Sequence, residues 1–238
     1  MLKKTNLFHV LSGATILVAL LIYSPSCSDS KSRIDLSGHE VELEINRSEK
    51  DIFQLRSKAD YYAQYKSDST FMSVYTNGIM ESVTGGFRVS GNDRIEALLK
   101  FVSNRDMKHL FHAVDSTFQN FEDYELALND AFSHINYYFG DSAIPAIYTF
   151  ISPFYYNTVS FEGNLGIGLD MYLGPEFGPY STPSLNFPQY KIEKFRKSSL
   201  VPDAIKSWLM TRFPKSENDR RLLSEMIYEG KILYAMYL

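Results

Sequence analysis

The chain has one cysteine, Cys27, among 238 residues, so no internal disulfide can form. Histidine is nearly as scarce, and none follows His134. That absence bears on the closing stretch, Leu222 to Tyr234, whose apolar residues recur at three- and four-residue steps and predict a largely buried helix. Zinc hydrolases place His-Glu-x-x-His on such a helix, because an i, i+4 pair aims two imidazoles at one ion beside a general-base Glu. With Glu229 as the Glu, Tyr228 and Ile232 stand where the ligands belong, and neither binds zinc as imidazole does. A nucleophile elbow is missing too: Ser152 is followed by Pro153, and no Gly-x-Ser-x-Gly occurs. Gly166-x-Gly168 lacks the third glycine and the helix start of a dinucleotide loop. The net charge of -4 supplies no overall basic face for nucleic acid. These absences leave no catalytic residue, no metal ligand and no cofactor to assign.

What is present begins with a leader. Lys3 and Lys4 precede an apolar run from Leu7 to Tyr23, then Ser24-Pro25-Ser26-Cys27 and a polar stretch. This is the anatomy of a bacterial lipoprotein signal peptide over residues 1–26, cleaved so that Cys27 becomes the lipidated N-terminus. The competing reading is a transmembrane anchor, for which the run is near the short limit. Either way the body is exported and held at a membrane, and diacylation plus an amide-linked chain suffices for stable anchoring. Residues 27–40 read as a polar tether. Residues 41–238, with 17 Tyr and 17 Phe, are enough for a single domain with its own core.

Within the body, Val41–Asn46 alternates as a short strand, and Asp51 to about Met80 is helical. Asp93–Phe101, Met107–Phe118 and Phe121–Phe139 predict three amphipathic helices, the last ended by Gly140. Ala146–Ile151 is a β-branched and aromatic run that suits a buried strand. Thr158–Phe161 and Leu165–Asp170 flank a turn at Glu162-Gly163-Asn164, and the three together predict a small central antiparallel sheet. Glycine inside the last of them marks a bulge or a close backbone approach. Val201-Pro202-Asp203 opens a helix whose buried face is Ile205, Trp208, Leu209 and Phe213. Ser216 with Asp219 resembles a capping box for the closing helix. The fold class is therefore α+β, mainly helical.

Among groups able to carry chemistry, His109 and His112 share a helix face without a third ligand nearby, and read as ordinary helix histidines. Glu225 and Glu229, at i, i+4, could bind a hard cation or act as an acid–base pair; pairing with a cation such as Lys231 is the plainer reading. Asp170, at a strand end, reads first as a turn cap and second as an active-site acid.

Phe139, Pro145-x-x-Tyr148-x-Phe150-Ile151-Ser152, Ile167-Gly168-Leu169-Asp170-Met171-Tyr172-Leu173-Gly174, Val201-Pro202-Asp203, Trp208 and Met226-Ile227-Tyr228-Glu229-Gly230-Lys231 together resemble the gliding motility lipoprotein GldB family of the Bacteroidetes. The resemblance spans most of the chain from Val41 and includes Cys27. It implies an envelope lipoprotein needed for gliding and for the associated protein secretion machinery, with no established enzymatic activity. Its partners would be other envelope proteins, its body would lie in the periplasm, and family members continue past the closing helix, so the sequence reads as C-terminally truncated. The family is also similar to predicted zinc proteases, which implies a zincin-like outline. A pseudo-protease of this kind would keep a vestigial cleft near Asp170, Tyr172, Tyr228 and Glu229. The alternatives are a carboxylate- or metal-dependent hydrolase using Glu229 with Asp170, and a glycan-binding lipoprotein with exposed tyrosines.

Overall fold

A computed structural model describes residues 34–83, 91–140, 144–216 and 221–238. The signal peptide, Cys27 and Asp219 lie outside the described residues, and Leu36–Leu238 forms one compact unit. No helix among the described residues is long and apolar enough to cross a membrane.

Four short strands make one sheet in the order β1-β2-β4-β3: β1 (Ile45–Asn46), β2 (Ile147–Phe150), β3 (Thr158–Phe161) and β4 (Asn164–Gly168). The sheet is mixed, which corrects the antiparallel expectation. β1 runs parallel to β2 and β2 runs parallel to β4, with Ile147 opposite Leu165 and Phe150 opposite Gly168. Only β3 and β4 pair antiparallel, joined at Glu162-Gly163, which take the left-handed φ values of 45° and 78° that such a tight hairpin turn needs. The reason is the path between β2 and β3: the chain crosses over, β3 becomes the edge, and β4 returns between β3 and β2. That position buries β2 throughout, as its unbroken apolar run predicts. It also explains the glycines of β4. A Cβ at Gly166 would meet the Phe150 ring at 2.9 Å, and one at Gly168 would lie 2.0 Å from the Tyr156 carbonyl.

Parallel strands need a long crossover, and between β1 and β2 it is made of helices. These are α1 (Ser48–Ile52), α2 (Lys58–Ser67), α3 (Ser69–Val74), α4 (Met80–Val83), α5 (Gly91–Ser103), α6 (Arg105–Thr117) and α7 (Glu122–Phe139), with a π-helical turn at Tyr75–Ile79 joining α3 to α4. Their ends follow local chemistry. Ser57 and Asp60 form a capping box on α2, Asn104 caps α6 through the amides of Asp106 and Met107, and Gly140 at φ 60° terminates α7. After the sheet come α8 (Gln189–Ile192), α9 (Leu200–Arg212) and α10 (Leu222–Tyr237). α9 buries Ile205, Trp208 and Leu209, as its pattern predicts, but leaves Phe213 exposed.

α10 departs most from expectation. Ile232 is its one buried residue, while Leu222, Leu223, Met226, Ile227, Leu233 and Tyr234 are 49–74% exposed. Periodicity locates an apolar stripe; it does not say that the stripe faces the body. The start also differs: Arg221 is the cap residue and no side chain caps the helix.

Candidate functional site

In a sheet with parallel strands, functional groups gather beyond the carboxyl ends of those strands. β1, β2 and β4 share that polarity here. The residues that follow them are Glu49, Ser152 and Asp170, and all three are buried.

Asp170 sits at the centre, in a 3-10 turn (Leu169–Met171) that continues β4. Its Oδ1 accepts the Ser152 amide at 3.1 Å and its Oδ2 accepts the Phe154 amide at 2.5 Å. The segment it holds is strained, with Phe154 in the left-handed region at φ 69°. The Ser152 hydroxyl supports the same loop, accepting the Tyr156 amide at 3.0 Å. Burial pushes the Asp170 carboxyl up to about 6, against the pull of the Phe154 and Ser152 amides. The carboxylate thus acts as a clasp, spending both oxygens on backbone donors.

Three buried tyrosines surround it. The Tyr180 hydroxyl donates to the Asp170 carbonyl at 2.6 Å and accepts the Leu173 amide at 3.1 Å. The Tyr75 hydroxyl donates to the Ile151 carbonyl at 2.8 Å. The Tyr172 hydroxyl donates to Asp203 on α9 at 3.1 Å. Burial raises all three phenols well above the ordinary tyrosine range, and nearby carboxylates add to it: Asp170 and Glu49 for Tyr75, and Asp203 for Tyr172. None ionises at neutral pH, so they serve as neutral donors.

Glu49 has its own set of partners. It pairs with Arg47 at 2.7 Å and accepts the buried Thr149 hydroxyl of β2. Arg47 in turn donates to the Phe118 carbonyl at 3.0 Å and lies over the Phe121 ring. This group ties β1 and β2 to the α6–α7 corner.

The four residues expected to share a cleft do not line one open surface. Asp170 and Tyr172 lie inside the core, while Tyr228 and Glu229 ride on α10, which packs against α9. Glu229 pairs with Lys206 of α9 at 3.0 Å, with both side chains well exposed. Tyr228 packs, half-buried, on the core beside Ile232. The two positions that would carry zinc ligands are therefore used for packing. Among the described residues, no group of three or more His, Cys, Asp or Glu side chains could hold a metal ion.

Sequence reasoning missed Glu49, Tyr75, Thr149 and Tyr180. Each looks like a surface or core residue in isolation, and its role depends on a contact 10 to 100 residues away. Only the placement of Glu49 just after β1 offered a signal, and β1 is too short to read with confidence as parallel.

No curated protein and no solved structure gives a significant match to this chain. The family model for "Gliding motility protein GldB" matches residues 29–238, which takes in both the Asp170 clasp and the whole of α10. The chain belongs to the GldB family of gliding motility proteins.

Proposed function

We propose that the protein serves gliding as a non-catalytic, lipid-anchored envelope component. In this reading Cys27 carries the lipid, the body stands in the periplasm, and its partners are other proteins of the gliding and secretion machinery. The observation that carries the non-catalytic part is the use made of its acids. Asp170 is fully buried with both oxygens on backbone amides, and Glu229 is a surface ion-pair partner on another element. An acid–base pair needs two carboxylates facing a common substrate atom within hydrogen-bond reach, and these face different surroundings. Tyr228 and Ile232 pack on the core, so neither of the α10 positions at which a zincin would carry an imidazole presents a metal ligand.

The test is metal content and peptide cleavage by the purified protein, with Glu229→Gln beside it. The expected result is no zinc-dependent cleavage and no difference between the two. Cleavage that disappears in Glu229→Gln would favour the hydrolase instead. For the anchor, wild type should incorporate labelled fatty acid and migrate as the processed form, and Cys27→Ser should do neither; an unlabelled, unprocessed wild type would favour the transmembrane reading.

A further inference from the structure

The ends of α7 and α9 meet in an exposed apolar group. Tyr137, Tyr138 and Phe139 close α7, Phe213 follows the last turn of α9, and Ile144 lies on the connection from α7 to β2. Each of the five is between 36% and 41% exposed. Phe139 packs on Phe213 with ring centroids 5.0 Å apart, and Tyr137 meets Tyr138 edge-on at 5.1 Å. Large apolar side chains that cluster while staying this exposed mark a contact with protein or with membrane. This end lies at the start of β2, opposite the Asp170 clasp, which stands past the carboxyl ends of the parallel strands. α10 leads away from it: the pairs Glu225–Lys215 and Glu229–Lys206 carry that helix back along α9 toward its first turn.

The path of the chain chooses between the two kinds of contact. The first segment of the body, Leu36 to Val41, enters at this same end. Asn136 on the last turn of α7 donates to the His39 carbonyl at 3.2 Å, and the His39 ring meets Tyr137 edge-on at 5.2 Å. The Val41 amide then donates to the Ser133 hydroxyl of α7 at 2.9 Å. Nine residues, Ser28 to Leu36, separate this entry from Cys27, and fully extended they reach about 30 Å. A folded body of this length is on the order of 40 Å across. A lipid on Cys27 therefore keeps the aromatic end close to the bilayer. It also makes contact with that surface effectively intramolecular, so that a weak affinity suffices.

The side chains suit the occupant. Tyrosine has an apolar ring and a polar tip, the combination that settles at the level of lipid headgroups, and Phe and Ile fill the shallow acyl boundary below. Resting on the lipid-anchored reading proposed above, we infer that this end of the body seats on the membrane that holds the anchor, with Tyr137, Tyr138, Phe139, Ile144 and Phe213 at the headgroup–acyl boundary.

The test uses the full-length lipidated protein, purified from its own membranes and reconstituted into vesicles of phosphatidylethanolamine and phosphatidylglycerol. Cys27 is the sole native cysteine and is blocked by its lipid, so an introduced thiol carries the only fluorophore. A polarity-sensitive fluorophore on Tyr138→Cys should show blue-shifted emission that lipids spin-labelled near the headgroup quench, and the same is expected at Ile144→Cys. The two positions lie on different segments, so either serves if the other variant fails to accumulate. Tyr190→Cys is the control, 64% exposed on α8, just ahead of Phe195, which packs on Tyr180 at the Asp170 end. It should show neither effect. Emission at Tyr138 and Ile144 that iodide quenches and spin-labelled lipid does not, in vesicles that retain the protein, would overturn the inference. Emission shielded from both quenchers would mean that protein covers this end, and would overturn it equally. Protein that fails to stay with the vesicles would overturn the anchored reading, and the inference with it.

Discussion

At the scale of single residues, the Asp170 carboxylate does most to define the centre of the molecule. Removing it in Asp170→Ala strands the Ser152 and Phe154 amides, the latter at a left-handed residue. The expected loss is about 2–4 kcal/mol in urea denaturation, with Asp170→Asn costing less because an amide oxygen can still accept one bond. The pH dependence has a definite sign. Burial raises the folded-state value to about 6 from an ordinary 3.8, so folding favours the protonated form. That contribution is fully present below about pH 4 and is lost as pH rises through 6. The stability of wild type relative to Asp170→Asn should therefore fall across that window, by no more than about 3 kcal/mol. A flat difference between pH 4 and 7 would contradict the assignment. Gly168 gives a steric counterpart. A methyl there would run into the Tyr156 backbone at 2.0 Å, so Gly168→Ala should destabilise by more than about 2 kcal/mol. At Gly166 the obstacle is a ring edge at 2.9 Å, and Gly166→Ala should cost less. The close approach at these glycines was legible in the sequence, since glycine within a strand has few other uses. The clasp on Ser152 and Phe154 was not, because nothing local marks which amides an aspartate will find across 16 to 18 residues.

At the scale of elements, helix ends and helix periods were readable from short-range chemistry. Gly140 ends α7 as expected, and α5 and α6 lie where their apolar steps put them. Strand pairing was less readable. The run in β2 and the turn at Glu162-Gly163 could be seen, but the β2–β3 crossover that puts β4 between them is set by tertiary packing, and a meander has the same local pattern. α10 shows the limit most clearly, since its stripe was visible and its orientation was not. The structure divides its energetics accordingly. Ile232→Ala empties a core site and should cost about 2–4 kcal/mol in thermal or urea unfolding, whereas Leu222→Ala, on the exposed face, should leave the isolated body within about 0.5 kcal/mol of wild type. Equal effects at the two positions would mean that the outer face is packed within the chain. The Lys206–Glu229 pair links α9 to α10 but is well exposed, so Glu229→Gln should cost no more than about 1 kcal/mol.

At the scale of the whole molecule, seven α-helices among the described residues lie in the crossover that lets β1 run parallel to β2. The buried acids and tyrosines lock the carboxyl ends of the three parallel strands against that crossover. The polarity that other proteins use to open a ligand site is here closed by internal bonds. Among the described residues, α10 turns Leu222, Leu223, Met226, Ile227, Leu233 and Tyr234 outward. Membership of the GldB family ties the chain to gliding motility, and the non-catalytic role proposed for it rests on where its acids lie.

The most direct measurement is gliding by cells whose native copy is replaced with Glu229→Gln, with envelope levels of the protein followed in parallel. A non-catalytic component predicts normal gliding at normal protein levels. Loss of gliding with the protein still present at wild-type amounts in the envelope would contradict the account and point to a working carboxylate on α10.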